Sequence, residues 1–487
     1  MQMFRKYGDE VILIYNPRME NVEVGENIKI VDTEVGRGLV VQVIEQSLVD
    51  LAGILEDIIR AESIGEINVE EYVSADYEQF HQDVRNMKFA RAKIRKELTV
   101  HDRKENVADW TGWIPDRGAT VTSIDDDWLL RQLGLVAREF KHPVTLGEIT
   151  YTEIPLTTSA FHLQGISIIV GKKGSGKSHI GKALLLSLID QKAKGIVFDI
   201  NDEYPPMRCI EDGSKSPYYN SIVPLDPGTN LRFTLPYVGP DVFIDVLVTT
   251  LGMGEPSAYE LRNIWAELEE LNQLSFSNLY TAVKTHMDGK TRGAVIRRLD
   301  LLKQTDLFVD NEDSATTIEA ELEKIANGGA ITINLKMKNK NTMDLVVQAV
   351  LRKLQELLEK GLDPLFIFAE EAHMYLRETN WADAVTRMRH LGTYQIYMTN
   401  TPTAIRQLVI RQADNLFLFH LTEPGDLAHI TPATRIDPET LDQVARALPP
   451  RTCLAVGETT THYPFVITTK PLPVQTAGET RLYFKEK

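Results

Sequence analysis

Apolar and polar residues alternate from about residue 10 to 46, with turn residues between the runs. Residues 11–15, 27–31 and 38–44 read as strands. Asn16-Pro17-Arg18 and Val35-Gly36-Arg37-Gly38 read as the turns joining them. Several short strands this close together predict a small β-barrel. At 47–60 the spacing becomes helical, with Ser47 as N-cap and Leu48, Leu51, Leu55, Ile58 and Ile59 on one face. Residues 77–98 carry Arg85, Lys88, Arg91, Lys93, Arg95 and Lys96, which read either as a solvated helical face or as phosphate contacts. Asp109-Trp110-Thr111-Gly112-Trp113-Ile114-Pro115 reads as a packed turn.

A boundary is expected near 140–150, with 1–145 as the N-terminal unit. From 144 the chain alternates strands and helices. Residues 144–156 are expected as a strand leading into the second unit, followed by strands at 166–170, 195–199, 330–335, 364–369, 394–400, 415–421 and 452–456. Residues 242–251, 259–271, 277–287 and 291–304 each show 3.6-residue spacing, so about 238–328 reads as a helical insertion. A further helix is expected over 344–358. The pattern is that of an α/β fold with a parallel sheet occupying 146–470, and 471–487 is a tail whose apolar residues are expected to clamp a neighbour.

One stretch carries chemistry. Gly171-Lys172-Lys173-Gly174-Ser175-Gly176-Lys177-Ser178 fits the G-x-x-x-x-G-K-[ST] phosphate-binding loop without mismatch. An apolar strand precedes it, and a helical pattern from His179 to Leu188 follows. The glycines let successive N–H groups converge on an anion, and the helix start adds its positive end. Lys177 is expected to reach the β- and γ-phosphates of ATP, and Ser178 to ligate Mg²⁺.

Two further strand ends are expected to complete the site. The apolar run 364–369 leads into Glu370-Glu371-Ala372-His373. Glu370 is placed to hold Mg²⁺ through water, and Glu371 to orient or deprotonate the attacking water. The strand 394–400 ends in Thr399-Asn400, a polar tip that can sense the γ-phosphate or simply form a turn. Asp199-Ile200-Asn201-Asp202-Glu203-Tyr204 puts acids at the carboxyl edge of a parallel strand, where ligands of such sheets bind.

The 487 residues suffice for two or three domains, and the formal net charge of −16 argues against nucleic acid coating the outer surface. A basic groove or internal channel is still compatible with it. No run approaches transmembrane length, the Met1 start lacks a signal-peptide core, and Cys209 and Cys453 offer no framework, so a cytoplasmic protein without membrane association is expected.

The order of these parts resembles the HerA-type ATPases of the HerA/FtsK group of P-loop DNA translocases. The likeness rests on the N-terminal barrel, the loop Gly171–Ser178, the D-x-x-x-E-Y pattern from Asp199 to Tyr204, the helical insertion and Glu370-Glu371-Ala372-His373. Arg389-His390-Leu391-Gly392 stands where the family has R-K-[FY]-G. Thr399-Asn400-Thr401-Pro402 stands where it usually has S-Q-R-P, so His390, Asn400 and Thr401 are departures. The resemblance implies a RecA-like sheet and a hexameric ring that hydrolyses ATP between subunits and moves double-stranded DNA through its centre. It implies a nucleotide site of Gly171, Lys173, Gly174, Ser175, Gly176, Lys177, Ser178, His179, Asp199 and Glu203. Catalysis falls to Lys177, Glu370, Glu371 and Asn400, with an arginine supplied across the interface. Arg389 is the first candidate and Arg387 the second; both also read as ordinary surface charges. Lys336, Lys338, Lys340 and Arg377 are candidates for DNA phosphate contact, and a partner nuclease or effector is implied. A ring scaffold that activates an effector under ATP control, or a secretion or conjugation ATPase, would use the same nucleotide residues.

Overall fold

The computed structural model describes residues 1–48, 87–101, 104–375 and 387–478. Most of the helix expected at 47–60, the stretch 77–86 with Arg85, the candidate Arg377 and the tail 479–487 lie outside the described residues.

The N-terminal unit is built on seven strands: β1 (Gln2–Tyr7), β2 (Glu10–Tyr15), β3 (Asn27–Asp32), β4 (Arg37–Leu48), β5 (Lys88–His101), β6 (Lys104–Ala108) and β7 (Thr120–Ser123). They form an antiparallel sheet in the order β1-β2-β5-β4-β3-β7, with β6 on β5. The expected barrel is therefore corrected to a half-barrel: among the described residues β1 and β7 end the sheet without pairing. Alternation predicts β2 because Val11, Leu13 and Tyr15 bury one face. β4 is buried without alternation from Gly38 to Ile44 because both its faces are covered. Leu39, Val41 and Val43 fill the half-barrel core, while Val40 and Ile44 join the cores of the second unit.

The basic stretch is also corrected. Its described part is strand β5, held between β2 and β4. Ala90, Ala92 and Ile94 point into the half-barrel core. Arg91, Lys93 and Arg95 point the other way, toward the second unit. Arg85, Lys88 and Arg91 recur every three positions and resemble a helical stripe, but Arg91, Lys93 and Arg95, alternating with Ala90, Ala92 and Ile94 at period two, suit a central strand. Ser47 and Leu48 likewise end β4 rather than cap a helix.

The second unit is an eleven-stranded sheet. Its strands are β8 (Pro143–Ile149), β9 (Pro155–Ser159), β10 (Ile166–Val170), β11 (Lys194–Asp199), β12 (Ile222–Leu225), β13 (Gly329–Asn334), β14 (Leu365–Glu370), β15 (Thr393–Thr399), β16 (Asn415–Phe419), β17 (Thr452–Gly457) and β18 (Phe465–Thr468). The order β12-β13-β11-β14-β15-β10-β16 is parallel throughout, and β17-β18-β8-β9 continue it antiparallel. The single strand expected over 144–156 is a hairpin, β8 and β9, at the far edge. The chain reverses there through Thr150 to Glu153, the last with φ 56°.

Helices Pro240–Thr249, Glu255–Glu270, Phe276–His286 and Gly289–Lys303 make up most of the insertion. Each starts on a cap or helix-starting proline, such as the Ser275 side chain accepting from the Asn278 N–H. Phe243, Leu261, Trp265, Leu279 and Leu299 bury their inner faces in one core with the parallel sheet. The helix Lys340–Glu359, capped by Asn339, follows β13.

The two units meet along β5 and the start of the helix Pro438–Ala447. Arg95 donates to Thr440 Oγ1 at 2.9 Å and pairs with Asp437 at 3.3 Å. Lys93 pairs with Glu10 at 2.7 Å and Glu439 at 3.3 Å, and Arg91 bridges Glu45 and Glu439. The tail packs on its own chain as far as residue 478. Val474 is buried, and the Gln475 N–H donates to the Cys209 carbonyl at 2.8 Å.

Candidate functional site

Four neighbouring strands, β11, β14, β15 and β10, end at one sheet edge in Asp199, Glu370-Glu371, Thr399-Asn400 and the glycine loop. Strands lie about 4.8 Å apart, so β10 and β14, separated by β15 alone, put loop and acids about 10 Å apart at their roots.

The loop folds as its glycines require. Gly171, Gly174 and Gly176 have φ of 152°, 79° and 121°. A Cβ on Gly176 would lie 2.9 Å from the Phe419 ring and 3.1 Å from Arg451 Cα, so only glycine fits between the end of β16 and the start of β17. The Arg451 N–H donates to the Ser175 carbonyl at 2.8 Å, and the Lys172 N–H to the His420 carbonyl at 3.0 Å. Lys173 and Gly174 face solvent, and Ser175 Oγ is buried without a partner among the described residues.

Lys177 opens the helix Lys177–Asp190. Its ammonium donates to the Lys172 carbonyl at 2.9 Å, folding back over the loop. Burial lowers its pKa, opposed by the negative charges of Glu371, Glu370 and Glu203, so both strand-end acids act on the loop lysine. Ser178 is half-buried in the first turn. The His179 ring is anchored on the Lys470 carbonyl.

Glu370 is the most enclosed acid. Its Oε1 accepts from Tyr204 Oη at 3.2 Å, and its buried Oε2 has no partner among the described residues. Burial, then the charges of Asp199 and Glu203, hold its pKa well above the usual carboxylate range, against Lys182 and the Tyr204 hydrogen bond. Glu371 follows in the left-handed region at φ 44°. Such backbone costs about 1–3 kcal/mol in a non-glycine residue and recurs at functional sites. Its Oε2 accepts from Thr399 Oγ1 at 3.0 Å.

Asp199 and Glu203 sit at the same edge with their carboxylates committed inside the protein. Asp199 accepts from the N–H groups of Asn201, Glu203 and Tyr204 at 3.2, 3.0 and 3.0 Å, which shapes the turn after β11. Glu203 accepts from Lys182 Nζ at 2.8 Å, and Lys182 also donates to the Ala477 carbonyl at 2.7 Å. Lys182 is the neighbour that motif reading does not single out, because nothing in its spacing marks it; Tyr204 and Thr399 stand within the motifs, but their contacts with Glu370 and Glu371 are not written there.

The chain between 144 and 354 matches the family model described as "Helicase HerA, central domain". Over those residues the chain is similar to the HerA-type P-loop ATPases. It is 22% identical over 353 residues to the "Probable helicase MJ1565" of Methanocaldococcus jannaschii, in a match covering 66% of this chain and 64% of that relative. Among solved structures it is similar to VirB4 of Thermoanaerobacter pseudethanolicus, at 15% identity and TM-score 0.52, over 68% of this chain and 97% of that one. It is also similar to the plasmid coupling protein TrwB in complex with ADP and Mg²⁺, at 13% identity and TM-score 0.50, over 69% and 90% of the two chains. At such identities the likeness is one of fold.

The arginine candidate Arg389 lies away from the loop. Arg389 pairs with Asp414 at 3.0 Å, and Asp414 in turn accepts from the Ile166 N–H at 2.8 Å. This is the amino end of β10, about 13 Å of strand from the loop at its other end. Arg387 is exposed. Lys336 and Lys340 are exposed around Met337, which stands on a turn with φ 61°, and Lys338 donates to the Pro227 carbonyl at 3.1 Å. The Asn400 side chain is exposed and accepts from Thr401 Oγ1 at 2.9 Å. Among the described residues no helix is long and apolar enough to cross a membrane.

Proposed function

We propose that this chain is a HerA-type, ATP-hydrolysing translocase that assembles as a hexameric ring, moves double-stranded DNA through its pore and works in the cytoplasm with a partner nuclease or effector. The observation that carries the reading is the convergence of the Lys177 loop with Glu370 and Glu371 at one sheet edge. The loop N–H groups and Lys177 bind the triphosphate of ATP, and Glu371 orients the water that attacks it. The donors also fit Mg²⁺: Ser178 offers a hydroxyl, and Glu370 an unpartnered, buried carboxylate oxygen, hard ligands of the kind this ion takes. Once bound, the ion neutralises phosphate charge.

Arg389 is too far from its own loop to serve it, which suits a residue donated to the neighbouring subunit. DNA is held through phosphates, hence without sequence preference, by Lys336 on the exposed turn and Lys340 at the start of the helix that follows it. ATP turnover is expected to rise with double-stranded DNA, Lys177→Ala to abolish it, and Glu371→Ala to leave ATP bound but uncleaved. Turnover that is equal with and without DNA at low salt, with any partner present, would remove the motor. Mass measurement with ATP tests the hexamer.

A further inference from the structure

The role given to Glu371 raises the question of what aims it, and the answer rests on that role. Glu371 Oε2 accepts from Thr399 Oγ1 at 3.0 Å and from the Asn400 N–H at 3.3 Å, and lies 3.5 Å from His373 Nδ1. All three partners fall on the same oxygen, and among the described residues none of them falls on Oε1.

The Thr399 hydroxyl is itself fully engaged. It accepts from the Thr401 N–H at 3.0 Å and faces His373 Nδ1 at 3.2 Å. A hydroxyl has one proton and two lone pairs. With the Thr401 N–H and an Nδ1-protonated His373 on the lone pairs, the proton is directed at Glu371. The competing acceptor, the Thr401 carbonyl, is 3.5 Å away, at the limit of a hydrogen bond. Thr399 is 1% exposed, so water does not replace these partners. It closes β15 beside Val170, the last residue before the loop, and one position beyond Met398, which pairs with Glu370.

We infer that Thr399 is the positioning residue of Glu371 and that His373 acts through it by fixing the direction of its hydroxyl. The strand tip thus serves the acid through the Thr399 side chain and the Asn400 backbone, while the Asn400 side chain turns outward.

The test is steady-state ATP hydrolysis by the full chain with double-stranded DNA, alongside the Kd for ATP and the thermal midpoint. Thr399→Val keeps the shape and removes the hydroxyl. Its kcat is expected to fall about 10- to 100-fold, the worth of a hydrogen bond to a charged group, with the Kd within about twofold of wild type. Thr399→Ser should restore most of the rate. His373→Ala should slow turnover in the wild type and add little in the Thr399→Val background, since a residue acting through another is silent without it. A purely structural role would lower kcat, affinity and midpoint together. If Glu371→Ala is inactive while Thr399→Val matches or exceeds wild type, the positioning role is overturned and the role of Glu371 stands. If Glu371→Ala turns over normally, the role of Glu371 fails and the inference with it.

Discussion

At the scale of single residues, the site depends on positions where no other side chain fits. Gly176 combines φ 121° with a Cβ position crowded by Phe419 and the Arg451 backbone. Gly176→Ala is therefore expected to cost about 1–3 kcal/mol and to distort the cradle. The loss should appear in isothermal titration as weakened ATP binding well below the melting temperature; binding at wild-type strength would show that the loop adapts. The loop was legible in the sequence because its chemistry lies in consecutive residues. The partners of Glu371 were only partly legible. Thr399 and Asn400 stand out as a polar strand tip, but which of the two side chains turns inward is set by packing against β14, 28 residues away for the Thr399 contact.

At the scale of elements, the helical insertion shows how periodicity becomes stability. Its helices bury one stripe each, and Trp265 lies at the centre, 1% exposed and 5.4 Å from the Phe243 ring. Trp265→Ala should lower unfolding stability by about 3–5 kcal/mol, the usual cost of emptying a large aromatic site, read from urea denaturation. A loss under about 1 kcal/mol would mean that the insertion collapses around the gap. These helices were readable because their apolar residues recur at three and four. β5 was not, because Arg85, Lys88 and Arg91 recur at a near-helical interval of three, while small Ala90 and Ala92 make the alternation that follows them weak. β2 and β4, supplied from elsewhere in the chain, decide in favour of strand.

At the scale of the whole molecule, the two units are joined by charge. Burial and hydrogen bonding pull on Asp437 in opposite directions. Desolvation would raise its pKa, but the Thr440 hydrogen bonds and the charges of Arg95 and Lys93 leave it lowered. The Arg91 hydrogen bond lowers Glu439 in the same way. A carboxylate depressed on folding adds stability above its unfolded pKa and loses it as pH falls through the folded value. Asp437→Asn keeps an N-cap while removing the charge, and Asp437 is half-exposed, so its cost at neutral pH is expected to be about 1 kcal/mol after screening. That gap between wild type and variant, followed by urea denaturation, should close as pH drops below about 4, the ordinary carboxylate value. A gap that stays constant with pH would show that the latch works by shape alone. Lys93 is linked in the opposite sense. Burial would lower it, but Glu10 and Asp9 raise it to about 12, so its contribution is kept below its ordinary value and lost as pH rises through about 12.

The sequence by itself determined the parallel strands, the phosphate loop, the acids at the end of β14 and the helical insertion. Each is written in residues within a few positions of one another, where steric period and turn chemistry act. Only the tertiary structure decided that the N-terminal sheet is open among the described residues, that 144–156 doubles into an edge hairpin, that the tail's first half folds onto its own chain, and that Thr399 of β15 donates to Glu371. Those outcomes depend on partners far away in the chain, as with Arg95 and Asp437, 342 residues apart. Local pattern does not encode such pairings, because burying a charge or closing a sheet edge is a property of both partners at once.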